Sequence, residues 1–128
     1  PILSTIIKRN IFNQIKFDNR YTIIGDLDFF VRLSLIKNIT AIQEPLACYR
    51  IHDSNMTTKK IDLNIKELQS WVDEKVNDRN FKFINFSKVY DLIKILKIKK
   101  NIIKGNRIEA LIETLKGSFD ILKFKLLN

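Results

Sequence analysis

Gly25-Asp26-Leu27-Asp28-Phe29-Phe30-Val31-Arg32-Leu33 is the stretch on which a reading of this chain turns. Gly25 interrupts the apolar run Thr22-Ile23-Ile24, and beyond it Phe29, Phe30, Leu33 and Ile36 recur at the spacing of one helix face. Asp26 and Asp28 stand at the start of that helix, where carboxylates complement the helix dipole. The flanks read differently. Segment 4–8 is short, apolar and β-branched, and 39–42 and 46–51 look like two further short strands. Gln43-Glu44-Pro45 separates the last two, and Pro45 makes the break real because proline cannot donate to a sheet ladder. Asn10 is placed to cap a short helix over 11–15, Lys16-Phe17-Asp18-Asn19-Arg20 reads as a polar turn, and His52-Asp53-Ser54-Asn55 is a loop of turn formers.

From Asp62 onward the pattern is helical throughout. Ile65, Leu68, Trp71, Val72 and Val76 form an apolar stripe, so one helix is expected over about 62–78. Ser87 is placed to cap a second, over about 88–104, with Val89, Leu92, Ile93, Leu96 and Ile103 inward. Gly105 suits a left-handed terminator, and Asn106 with Glu109 has the capping-box spacing that opens a third helix over about 107–126. Residues 81–86 are an aromatic connector without a clear period. The chain therefore divides into 1–57 and a helical tail over 58–128.

Composition narrows the class. With 128 residues, 45% hydrophobic and only three Gly and two Pro, the chain is one domain's length and can bury a core. Apolar runs are a few residues long, too short for a transmembrane helix. One cysteine, Cys48, excludes a disulfide within the chain and fits a reducing compartment, and a single histidine argues against a structural zinc site. The chain opens on Pro1 with its only Met at 56, and so reads as an excised piece.

Charge is unevenly spread. Of the net +9, residues 1–57 hold seven basic and five acidic groups, whereas the rest hold sixteen and nine. The excess is densest over 88–107, where Lys88, Lys94, Lys97, Lys99, Lys100, Lys104 and Arg107 face only Asp91. Such a stretch suits the phosphates of an anionic membrane, at about 1 kcal/mol per basic residue, or those of a nucleic acid. A solvated helix face carries the same residues.

For chemistry the residues offer few candidates. Two carboxylates at a loop-to-helix junction could supply a general base, since an acid there is exposed and oriented; both could equally be helix caps. His52 could ligate a metal or meet a phosphate, or be a surface histidine without a role.

Three motifs in fixed order resemble the C-terminal half of the family-2-type glycosyltransferases of the GT-A fold. They are the aromatic-Asp turn Phe17-Asp18, the helix start Asp26 with Asp28 to Leu33, and the strand and loop Glu44-Pro45-Leu46-Ala47-Cys48-Tyr49-Arg50-Ile51-His52. Ser4 to Phe12 also fits what precedes them in that family, so the resemblance spans residues 2–57. The family often has Glu before the base where this chain has Gly25; the Gly-Asp form is a variant of the motif. The resemblance implies an α/β class, α+β within this piece: the C-terminal part of a GT-A domain followed by a helical tail.

It implies a mechanism as well. Asp26 is the expected general base, taking the proton of an acceptor hydroxyl as it attacks the anomeric carbon of a nucleotide-sugar, with inversion. Asp28 and Arg50 are expected to meet substrate, and His52 to complete a divalent metal site, for Mg or Mn, on the donor diphosphate. The family's nucleotide-binding half and its Asp-x-Asp metal motif are not among these residues, so the isolated chain is expected neither to hold the metal nor to turn over. Its partners would be a nucleotide-sugar and a glycan or lipid-linked acceptor of surface polysaccharide or lipopolysaccharide synthesis. Its location would be cytoplasmic, peripheral on the inner face of the membrane through 88–107. Two rivals are a basic helical nucleic-acid module, disfavoured because seventeen Lys against six Arg suit phosphate contact more than base reading, and an inactive scaffold.

Overall fold

The computed structural model describes residues 4–48, 50 and 55–115. They fall in two compact units, Pro1–Lys60 and Ile61–Asn128. Among the described residues there are helices and turns and no strand, so what is described is all-helical and the expectation of an α/β class does not hold. Segments 4–8, 39–42 and the described part of 46–51 form no ladder. The reason is physical. β-Branched residues favour strands because they pack on a pleated, half-buried surface, and without a neighbouring strand that preference has nothing to act on. Every described residue from 34 to 48 is exposed.

In the first unit a 3-10 turn, Arg9–Asn13, precedes α1, Gly25–Ser34, and a single helical turn, α2, Met56–Lys59, closes the described part. Asn10 lies inside the 3-10 turn and does not cap it; Lys8 takes the cap position without a side-chain bond. Helix α1 has Asp26 and Asp28 in its first turn, as dipole complementarity favours, and buries Phe29 and Leu33. Ile15, Phe29 and Leu33 form the core, with Ile7, Ile11, Phe12 and Phe30 packed around it. Phe29 is its centre: its ring stacks on Phe17 at 4.4 Å and Phe12 at 5.7 Å, and meets Phe30 edge-on at 5.5 Å.

The second unit is an antiparallel helical hairpin. Helix α3, Ile61–Val76, buries Ile61, Leu68, Trp71 and Val72. Helix α4, Ser87–Ile103, returns along it, so that Asp62 at the start of α3 pairs with Lys100 and Lys104 at the end of α4. Between them Asp78 accepts the N–H of Asn80 and sets the 3-10 turn Arg79–Phe81. The unpatterned connector resolves into alternating fates: Phe81 is buried beneath the Lys75 ammonium, Phe83 is exposed, and Phe86 packs edge-on against Trp71 at 5.7 Å. Ser87 is the first helical residue of α4 and not its cap, and its N–H is taken by the Asn85 side chain.

Helix α4 stops at Gly105, which has φ +77°. The Gly105 N–H reaches the Ile102 carbonyl at 3.1 Å and the Asn106 N–H reaches Asn101 at 2.9 Å, a Schellman closure that needs the left-handed residue. Residues 107–115 then form α5, with Ala110 buried. The expected continuation of that helix to 126 lies outside the described residues.

Candidate functional site

The structure separates the two acids of the α1 start, which the sequence presents as equivalents. Asp28 is completely buried, and the Arg32 guanidinium grips it one turn on, Nε at 2.8 Å and Nη2 at 2.6 Å from Oδ2. Nη2 also donates to the Lys16 carbonyl at 2.9 Å, tying the preceding turn to the helix. A carboxylate with no exposed surface, engaged by a forked charge-assisted donor, supports the fold and has no face to offer a substrate. Asp28, expected to meet substrate, thus lies in the interior on Arg32.

Asp26 is different. It is half-buried, and Oδ1 accepts the N–H of Leu27 at 2.8 Å. Oδ2 has no hydrogen-bond partner among the described residues. One oxygen is thus anchored and the other is left for an incoming hydroxyl, an arrangement a general base needs. Gly25, immediately before it, has open space where a Cβ would stand and no positive φ, so the backbone here does not require glycine.

The aromatic-Asp turn joins this site. Phe17 stacks on Phe29 of α1, which holds the turn against the helix that carries Asp26. Asp18 is engaged by Arg20 through its backbone N–H at 2.9 Å and through Nε and Nη2 at 3.0 and 2.7 Å. Those hydrogen bonds, the Arg20 side chain first, hold the Asp18 carboxyl down at about 2, with the Arg32 charge adding to the effect. Arg32 therefore acts on both Asp28 and Asp18.

The third motif is only partly described. Arg50 is exposed, its carbonyl accepting from Asn55 Nδ2 at 3.4 Å, and no hydrogen bond or ion pair among the described residues joins it to Asp26. His52 and Tyr49 lie outside the described residues. No three His, Cys, Asp or Glu side chains among the described residues converge as a metal site. Asp18 and Asp28 are each engaged by an arginine.

In the second unit an open groove of about 480 Å³ runs beside α3 and α4, lined by Asp62, Lys66, Asp73 and Lys97 among others. Its charges are mixed, and Asp62 is already held by Lys100 and Lys104, which keep its carboxyl below the usual range. The Asp28–Arg32 pair has the i, i+4 spacing of a helix face, whereas sequence reasoning assigned Asp28 to substrate. It missed the Lys16 tether and the Asp18–Arg20 fork, which depend on how the turn folds. No helix of the described residues is long and apolar enough to cross a membrane. The chain matches no family model, no curated protein and no solved structure.

Proposed function

We propose that the first unit carries the general base of an inverting glycosyltransferase of the family-2 type, acting on a nucleotide-sugar donor and a hydroxyl of a glycan or lipid-linked acceptor in surface polysaccharide synthesis. The observation that carries this reading is the division of labour at α1: Asp28 is buried on Arg32, while half-buried Asp26 has no partner on Oδ2 among the described residues. The three ordered motifs support it from the sequence. The acceptor oxygen attacks the anomeric carbon, its proton passes to Asp26 Oδ2, and the bond to the diphosphate breaks with its electron pair leaving on the phosphate oxygen. Attack from the face opposite the leaving group inverts the carbon. A hydroxyl is a poor nucleophile until a carboxylate takes its proton, which is why one accessible acid matters more than two.

Arg50, exposed and on the segment that follows, is the residue we assign to electrostatic assistance. The protein is placed on the cytoplasmic side, peripheral at the inner face of the membrane, where the 88–107 cations meet anionic lipid. The test is Asp26→Asn in the protein carrying this segment, assayed with a panel of nucleotide-sugars. Transfer should fall by about 10²–10⁴, the usual contribution of a positioned base, with nucleotide-sugar binding retained. Unchanged turnover would remove Asp26 from the mechanism.

A further inference from the structure

The outward side of α4 is not that of an ordinary solvated helix. Ile93 is buried, and with half-buried Val89, Leu96 and Lys100 it marks the arc that faces the hairpin partner. Flanking that arc, Lys88, Leu92, Ile95, Lys99, Ile102 and Ile103 follow one another at steps of four, three, four, three and one, the spacing of a single helix face. Leu92, Ile95, Ile102 and Ile103 are 43, 60, 60 and 58% exposed. The stripe from 92 to 103 runs about 17 Å at 1.5 Å per residue. Isolated exposed aliphatics need no explanation, but four in line on one helix face, with lysines set among them, form a patch that marks a contact.

We propose that this face of α4 lies in the plane of an anionic bilayer surface, with the four aliphatics at the boundary of headgroups and acyl chains and Lys88 and Lys99 reaching back to the phosphates. Long lysine stems accommodate that geometry, covering apolar surface while the ammonium stays at the polar level. Charge selects the occupant. Of the seven cations of 88–107, Lys100 and Lys104 are held by Asp62, while Lys88 and Lys99 stand on this face and complement anionic headgroups. A nucleic acid would use the cations and leave the stripe in water, and a second copy would set the same excess of cations against itself. Contact in the plane also agrees with the absence, among the described residues, of a helix able to cross. The inference rests on the peripheral location proposed above and refines it, but uses no residue of the first unit, so its failure leaves the Asp26 chemistry untouched and the reverse.

The experiment is co-sedimentation with vesicles of phosphatidylcholine alone or mixed with phosphatidylglycerol, at physiological ionic strength. The wild type is compared with Ile95→Gln/Ile102→Gln and with Lys88→Gln/Lys99→Gln. All four positions are exposed and glutamine is a good helix former, so circular dichroism should show the helices retained. Wild type should bind the mixed vesicles well above the neutral ones, and the isoleucine pair should weaken that binding about tenfold or more, as lost apolar burial dictates. Equal binding to neutral vesicles, no binding to anionic ones, or isoleucine variants that bind like wild type would each overturn the proposal. So would a lipid-free dimer in sedimentation velocity that the isoleucine variants convert to monomer, which would assign the face to a second copy.

Discussion

Removing the Arg32 side chain is the sharpest test of the site as drawn. Arg32→Ala takes away the Nε and Nη2 donors at 2.8 and 2.6 Å and leaves the Asp28 carboxylate with no exposed surface and without its guanidinium. Breaking a buried pair from one side costs about 3–5 kcal/mol. Arg32 itself is 26% exposed, so water can reach the vacated space, and the lower end, about 3 kcal/mol, is expected. The Lys16 carbonyl also loses its donor, worth about 1 kcal/mol. Asp28→Leu/Arg32→Met, which removes both charges and keeps volume, should cost well under the sum of the single substitutions, since replacing a buried pair by apolar side chains is often close to neutral.

The readout has to be local. The only tryptophan, Trp71, belongs to the second unit, so its fluorescence does not follow the unfolding of the first. Hydrogen exchange of the α1 amides does, and the loss should show as protection lowered by a factor corresponding to about 3 kcal/mol. An Arg32→Ala effect below about 1 kcal/mol, the size of a surface ion pair, would refute the claim that Asp28 is a structural acid. Strictly additive single and double variants would refute it too.

Two further outcomes follow from the geometry. Gly105→Ala should destabilise the second unit by about 1–2 kcal/mol, the strain of a left-handed non-glycine residue, because no neighbour crowds its Cβ; Gly25→Ala, with open space and no positive φ, should be neutral or stabilising by up to about 1 kcal/mol. Thermal unfolding of the two variants checks the pair. The Asp18 carboxyl, held at about 2 against an ordinary 3.8, contributes stability that is fully present above the ordinary value and is lost as pH falls from about 4 to 2. A carboxyl titration by NMR should find it low in the wild type and returned toward 3.8 in Arg20→Ala. An unmoved titration would mean that Arg20 is not the cause.

The sequence by itself determined the helices and their ends. Apolar residues at helical spacing set α1, α3 and α4, because a helix that buries one stripe needs no distant partner to be recognised. Gly105 announced its left-handed turn because no other residue enters that conformation without strain. The i, i+4 spacing of Asp28 and Arg32 was legible for the same local reason. The capping side chains were less so: Asn10 and Ser87 read plausibly, yet Lys8 takes the cap position of the first and Asn85 accepts the Ser87 N–H at the second. Caps depend on a precise entry angle of the chain, and several polar residues stand within reach of each start.

Only the tertiary structure decided what required a second segment. A strand exists through its neighbour, so 39–42, strand-like in composition, is exposed chain where no described segment pairs with it. Burial is likewise a property of the packed whole: Asp26 and Asp28 have the same chemistry two residues apart, yet Asp28 is fully buried on Arg32, which is itself tethered to Lys16, and Asp26 is half-buried.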